Sequence, residues 1–196
     1  TECGPAIAFD HWQTFRPTSC GKAVDRMEIR IDSSDPFNQV GEILTKGMNV
    51  MDGYYNNPEA SNTVLSPDGW LHTGDLGVLD PDGYLYIKGR SKSLILGPSG
   101  QNIYPEEIED LLNAQPYIAE SLVIEREGKL VALVYPDAEA MKQNKISRET
   151  LLKIIHETRK QINQQLPAYS QIARLEIHDE EFEKTPKRSI KRFLYQ

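Results

Sequence analysis

The pattern of apolar residues changes near residue 90, and this change limits the folds open to the chain of 196 residues. Before that point, short apolar runs such as 27–31 alternate at a period of two and are separated by turn residues, which predicts β-strands. After it, strand patterns alternate with helical ones, such as the apolar stripe that follows Ser147. We therefore expect an α+β protein: a mostly-β part over residues 1–90, folded as a distorted barrel or a folded sheet, and a small α+β domain over residues 91–196.

Charge and composition exclude several classes of protein. Acidic residues outnumber basic ones 29 to 22, which leaves a net charge of −7, whereas nucleic-acid binding favours a basic excess. We expect no nucleic-acid partner. No run of about 18 apolar residues is present, so we expect no membrane span. The two cysteines, Cys3 and Cys20, are too few for a disulfide framework and lack metal-ligand spacing. The expectation is a soluble, cytoplasmic protein.

The first residues read as a loop, because glycine and proline follow Thr1, Glu2 and Cys3 directly. The chain has neither an initial methionine nor a signal sequence. We therefore expect it to be a piece of a longer protein.

Two short motifs could hold a nucleotide. In Thr73-Gly74-Asp75, a carboxylate beside a glycine in a tight loop can accept both hydroxyl groups of a ribose; the alternative is an ordinary turn in which Asp75 bonds its own backbone. In Gly89-Arg90-Ser91-Lys92, the planar fork of the arginine suits hydroxyls or phosphates; the alternative is a basic linker.

Two further segments carry weaker signals. The loop around Gly100 precedes the helical pattern that starts at Pro105, and a glycine-bearing loop entering a helix N-terminus can approach a ligand closely. It lacks the spacing of a Walker loop, so a plain helix-entry loop remains the alternative. The basic residues of 184–192 could contact phosphates, or they could form a solvated surface after the acidic block 179–183.

Taken in order, these motifs resemble the C-terminal part of the AMP-forming adenylating enzymes, the superfamily of acyl-CoA synthetases, luciferases and peptide-synthetase adenylation domains. The resemblance extends over essentially the whole chain. It rests on Thr1-Glu2, on the block from Gly41 to Ala60, on the motifs at 73–75 and 89–92, and on Asn102-Ile103-Tyr104-Pro105-x-Glu107-Ile108-Glu109.

The resemblance implies roles for individual residues. Thr1 would contact the phosphate of AMP, and Glu2 would help to hold Mg²⁺. Asp75 would accept the ribose hydroxyls with the assistance of Arg90. Lys92 would be the hinge about which the C-terminal domain moves between two half-reactions.

The same resemblance implies the reaction. ATP and a carboxylate would give an acyl-adenylate and pyrophosphate; the loop around Gly100 would then enter the site, and the thiol of coenzyme A would attack. A carboxylate is a poor electrophile, and AMP is a good leaving group once cations neutralise its charge. The family's phosphate loop and acyl pocket would lie upstream of Thr1, in the rest of the large domain.

One departure concerns the tail. The family pattern Pro-Lys-Thr-x-x-Gly-Lys-Ile-x-Arg matches at Lys184-Thr185 and at Ile190-x-Arg192, which places Arg188 on the glycine and Ser189 on the catalytic lysine. Lys187 and Lys191 each lie two residues from Ser189. They would share its face in a strand, and in an irregular loop either could substitute for the missing cation.

The tail ending Thr-Pro-x-x-x-Ile-Lys-Arg resembles that of long-chain fatty-acid ligases. We therefore predict a fragment of an acyl-CoA synthetase that acts on a fatty acid or another carboxylate. Two alternatives stay open: an adenylation domain that loads a carrier-protein thiol, and a non-catalytic module that binds a nucleotide or a partner.

Overall fold

The computed structural model describes residues 1–196, which divide into two compact units, Thr1–Lys92 and Ser93–Gln196. The eleven strands are β1 Ala8–Phe9, β2 Lys22–Ala23, β3 Met27–Asp32, β4 Gly41–Gly47, β5 Leu71–Leu79, β6 Leu85–Arg90, β7 Ile95–Leu96, β8 Asn102–Ile103, β9 Ile118–Arg126, β10 Lys129–Pro136 and β11 Ile172–Ile177. The four helices are α1 Pro58–Val64, α2 Pro105–Asn113, α3 Ala138–Gln143 and α4 Arg148–Asn163. The α+β class predicted from the sequence is confirmed.

The first unit is built on an antiparallel sheet in the order β3-β4-β5-β6, with the separate pair β1-β2. Its core contains Ile31, Ile43 and Leu85. No closed barrel is present, because β3 and β6 lie at opposite edges of an open sheet; of the two forms expected, the structure shows the folded sheet. Strand β3 shows why it stays an edge: the exposed positions of its alternating pattern include Glu28 and Arg30, and charged side chains protect an edge from further pairing.

The second unit is a three-stranded sheet in the order β11-β10-β9, covered on both faces. Strand β10 pairs antiparallel with β9 and parallel with β11, and α4 lies in the crossover to β11. One face packs against α2 and α4 through side chains such as Leu112 and Ile162. The other face packs against the C-terminal tail, where Phe182 is buried. The tail is therefore part of the fold and not only a solvated surface.

Local signals explain where the helices begin. The Ser147 side chain accepts a hydrogen bond from the Thr150 N–H and caps α4, and Asn57 caps α1 in the same way. The predicted stripe of α4 is buried, as at Leu151 and Ile155. Helical amphipathicity in the sequence thus sets the face that packs on the sheet. None of the helices combines the length and the apolar character needed to cross a bilayer.

Candidate nucleotide site and the C-terminal tail

Asp75, in the middle of β5, lies directly opposite Arg90, the last residue of β6. The Arg90 Nη1 donates a hydrogen bond to Asp75 Oδ1 at 2.7 Å. The arginine side chain is 61% exposed and the aspartate side chain 32%, so both groups remain open to a ligand. An exposed ion pair of this kind contributes roughly 0–1 kcal/mol to stability. Its arrangement, a carboxylate beside a guanidinium, suits the hydroxyl groups of a sugar.

Asp75 belongs to a bulge in β5. Glu42 pairs with Leu76 and Leu44 pairs with His72, so three residues of β5, 73–75, lie opposite a single residue of β4. The motif expected in a tight loop therefore lies inside a strand.

Hydrogen bonds from β4 fix the shape of this bulge. The Glu42 carboxylate accepts one from the Gly74 N–H at 2.9 Å and lies 2.8 Å from His72 Nδ1, while the Thr73 hydroxyl donates to the Ile43 carbonyl at 2.7 Å. Gly74 has φ +72°, a conformation that glycine adopts without steric cost. Sequence reasoning missed Glu42 and His72, because nothing in the sequence pairs them with the bulge.

Glu2 lies beside the loop that follows β4. Its carbonyl accepts from the Met51 N–H at 2.9 Å, and its carboxylate accepts from the Tyr54 hydroxyl at 3.3 Å. Burial, and after it the negative charge of Glu2, raise the pKa of Tyr54. No three acidic, histidine or cysteine side chains gather into a metal cage. A lone carboxylate such as Glu2 still fits Mg²⁺, which commonly takes one or two protein carboxylates and the phosphates of its nucleotide. Thr1 is exposed.

Lys92 lies in a short 3₁₀ turn, Ser91–Ser93, and its side chain is exposed. It is the last residue of the first compact unit, which ends at Lys92, and the second begins at Ser93. A residue in such a connection can change its backbone angles without disrupting either core.

The loop around Gly100 differs from the expectation. It closes the hairpin of β7 and β8 and does not lead directly into a helix, since α2 begins only at Pro105. The Gly97 N–H donates to the Gln101 carbonyl at 2.8 Å. Gly100 has φ +81°, and a Cβ placed there would meet no atom within 4 Å. The tip is therefore open to solvent, although its backbone conformation favours glycine.

The C-terminal tail folds back on itself as a hairpin, called here the tail hairpin, residues 183–191. Lys184 and Ile190 form its bridge, and the Thr185 N–H donates to the Ser189 carbonyl at 2.8 Å. Its turn, residues 185–189, contains Lys187, and both Lys187 and Ser189 are exposed. The hypothesis that the two side chains share a face of a strand therefore does not apply here.

Two further basic residues of the tail hairpin are Lys191 and Arg188. Lys191 contacts the Glu183 carboxylate at 3.1 Å. Arg188 adopts φ +64°, at the position where the family pattern has glycine. Arg188 thus takes a left-handed conformation, which glycine adopts at less steric cost.

A buried ion pair ties the tail to α2. The Arg192 guanidinium donates to the Glu109 carboxylate and, at 3.2 Å, to the Val123 carbonyl. The Val123 N–H in turn donates to Glu109 at 2.6 Å. Burial raises the pKa of Glu109, and the charge of Arg192 opposes that rise. The sequence carried one signal for this pair, because Glu109 lies next to Ile108 on the buried face of the predicted helix.

The chain is similar to several known proteins. Residues 92–195 match the model of the AMP-binding enzyme C-terminal domain. An indoleacetate–CoA ligase of Aromatoleum aromaticum is 44% identical over 59% of this chain and 24% of its own length. A long-chain-fatty-acid–CoA ligase of Gallus gallus is 39% identical over 62% of this chain and 16% of its own.

A similar fold is found in the O-succinylbenzoate coenzyme A synthetase of Bacillus subtilis in complex with AMP. The TM-score is 0.70 at 30% identity, over 91% of this chain and 35% of that one. The chain thus spans between about a sixth and about a third of the length of these proteins. Because the family model covers more than half of its residues, the chain belongs to the AMP-binding enzymes and carries their C-terminal domain.

Proposed function

We propose that this chain works as the C-terminal part of an AMP-forming acid–thiol ligase, which activates a carboxylate with ATP and transfers the acyl group to coenzyme A. The observation that carries the proposal is the Asp75–Arg90 pair, held at 2.7 Å on a bulge that Glu42 fixes. The relatives named above, whose printed names are CoA ligases, support the class of reaction.

In this proposal the first unit handles the nucleotide. Asp75 accepts the ribose hydroxyls, and Arg90 orients the carboxylate and adds a donor. Thr1 contacts the phosphate of AMP. Glu2 holds Mg²⁺ together with the nucleotide phosphates, and the bound ion supplies positive charge that stabilises the pyrophosphate leaving group.

The second unit supplies the mobile elements. Lys92 acts as the hinge between the two half-reactions, since the first compact unit ends at Lys92 and the second begins at Ser93. The open hairpin tip at Gly100 approaches the reacting centre when the thiol attacks. Ser189 occupies the position of the family's catalytic lysine, so a neighbouring cation of the tail turn must neutralise the charge that develops on the phosphate.

The acid we propose is a fatty acid. The support is the tail sequence and the similarity to a long-chain-fatty-acid–CoA ligase, while the other relatives are named for indoleacetate and O-succinylbenzoate. The acyl pocket lies outside these residues, so the acid must be identified by assay.

The test uses the full-length polypeptide that carries this chain. Exchange of labelled pyrophosphate into ATP is measured with palmitate, indoleacetate and O-succinylbenzoate, and thioester formation is measured after addition of coenzyme A. We expect exchange with palmitate, loss of exchange in Asp75→Ala, and no change in Lys142→Ala, a solvent-exposed lysine of α3. Exchange with an aromatic acid only would refute the fatty-acid assignment, and no exchange with any acid would refute the ligase.

A further inference from the structure

The first arm of the tail hairpin is fixed to the sheet by aromatic packing. Phe182 is only 2% exposed and lies in the apolar cluster on the face of the sheet opposite to the helices. The ring of His178 stacks on it at 4.8 Å, and the ring of Tyr195 meets its edge at 5.3 Å. The Glu183 N–H donates to the Tyr195 hydroxyl at 2.8 Å. This arm therefore cannot move without breaking buried contacts.

The second arm is fixed by charge. It continues from the bridge residue Ile190, which packs on the same cluster as Phe182, into Arg192 and its buried contact with Glu109. The Arg192 side chain is 19% exposed and the Glu109 side chain 10%, so water screens this pair weakly. With both arms fixed, the turn between them is held in one place on the second unit.

Most cations of the tail are neutralised by acids of the same unit. Lys184 Nζ lies 2.7 Å from Glu120 and 2.6 Å from Glu181. Lys191 contacts Glu183, and Arg192 contacts Glu109. These three side chains maintain the hairpin, and their charge is already compensated.

The two cations of the turn differ from these three. Arg188 makes no ion pair within 4 Å, but its charge still reaches an acid: the pKa of Glu181 is lowered mainly by Lys184 and to a smaller extent by Arg188. Lys187 forms no hydrogen bond and no ion pair within 4 Å, and its side chain is exposed. In a chain of net charge −7, Lys187 is thus an unpaired cation held on a fixed turn.

The same turn also contains free hydrogen-bond donors. The N–H of Lys187 and the N–H of Ser189 have no acceptor within the chain, whereas the Arg188 N–H donates to the Thr185 carbonyl at 2.8 Å. The Ser189 hydroxyl is exposed as well. Backbone N–H groups that remain free in a turn can donate to an anion, and a nearby ammonium group adds a charged donor.

We propose that Lys187, and not Lys191, is the side chain with which the tail turn binds a phosphate group of ATP, together with the donors of Ser189. Lys191 is then a positioning residue that closes the hairpin on Glu183. This inference rests on the proposed function for the identity of the ligand. It explains how the tail acts although Ser189 carries no charge: the cation is displaced by two residues, to a lysine of the turn that forms no ion pair.

The experiment follows the amide resonances of the ¹⁵N-labelled chain of 196 residues during titration with pyrophosphate, ATP, AMP and coenzyme A. We expect saturable shifts at Lys187 and Ser189, with ATP and pyrophosphate bound more tightly than AMP or coenzyme A. Lys187→Ala should weaken pyrophosphate binding by roughly tenfold, equivalent to about 1.4 kcal/mol, and Lys191→Ala by a smaller factor. Ser189→Lys should strengthen it.

Lys142→Ala serves as the matched control, because this exposed lysine lies in the same unit but away from the tail. It should leave the binding of pyrophosphate unchanged, and resonances distant from the turn should report intact folding in every variant. Equal losses in Lys187→Ala and Lys191→Ala, or no saturable shift at the turn, would overturn the proposal. Tighter binding of coenzyme A than of ATP would overturn the assignment to ATP. Absence of ligase activity in the full-length polypeptide would instead refute the proposed function and leave the binding result intact.

Discussion

Replacement of Arg192 by alanine should destabilise the second unit strongly. The side chain loses its contacts with the Glu109 carboxylate and with the Val123 carbonyl, and it leaves a mostly buried carboxylate without its counter-charge. Breaking one partner of a buried pair costs about 3–5 kcal/mol. Glu109 keeps the hydrogen bond from the Val123 N–H, so we expect a loss near the lower end, about 3 kcal/mol at neutral pH.

The loss of unfolding free energy caused by Arg192→Ala should be larger at neutral pH than at acidic pH. Burial raises the pKa of Glu109 above its ordinary value of 4.5, and the charge of Arg192 opposes that rise. Removal of Arg192 should therefore raise the pKa of Glu109 further. A carboxyl group with a raised pKa in the folded state contributes stability below its ordinary pKa and loses it as the pH rises through the raised value. The loss caused by Arg192→Ala should therefore be smaller at about pH 5 than at about pH 7.5.

Urea denaturation followed by circular dichroism at the helix band measures this difference, because three of the four helices belong to the second unit. Arg174→Ala is the matched control: this arginine is 60% exposed and lies 3.9 Å from Glu176, so its loss should cost less than about 1 kcal/mol. A cost below about 1 kcal/mol for Arg192→Ala, or an equal cost at both pH values, would refute the role given to the ion pair.

Three further predictions concern other parts of the chain. Arg188→Gly should raise the unfolding free energy by about 0.5–1 kcal/mol, because glycine adopts φ +64° without the steric cost of a side chain; an unchanged or lower value would contradict this. Limited proteolysis should leave residues 93–196 intact longest, since Phe9 and Trp12 of the first unit are 65% and 80% exposed; longer survival of the first unit would count against independent folding of the second. In the full-length polypeptide, Lys92→Pro should impair one half-reaction far more than the other, because proline fixes φ near −65°, whereas equal losses would show that Lys92 is not the hinge.

The sequence allowed most regular elements to be predicted, because local physical signals determine them. The cap at Ser147 and the apolar stripe that follows it predict α4, and the turn that ends at Gly83 predicts the hairpin of β5 and β6. Strand pairing across the first sheet was harder to predict. A barrel and an open sheet share the same alternation, and only the structure shows that β3 and β6 do not pair with each other.

The candidate site could likewise be predicted only in part. Motif spacing identified Asp75 and Arg90, whose opposition follows from the register of a hairpin that the turn already defines. The carboxylate of Glu42 lies about thirty positions earlier in the chain, and no local pattern links it to Gly74. The compensation of Lys191 by Glu183 was equally hidden, since it depends on the way the tail folds back.

The fate of the carboxylate oxygen tests the central claim most directly. The full-length polypeptide is incubated with ATP, coenzyme A and palmitate labelled with ¹⁸O in its carboxyl group, and the AMP formed is analysed by mass spectrometry. If the acid is activated as an acyl-adenylate, the thiol displaces AMP and one labelled oxygen remains on the phosphate of AMP. Label in inorganic phosphate with ADP as the nucleotide product, or unlabelled AMP, would contradict the assignment of this chain to an AMP-forming acid–thiol ligase.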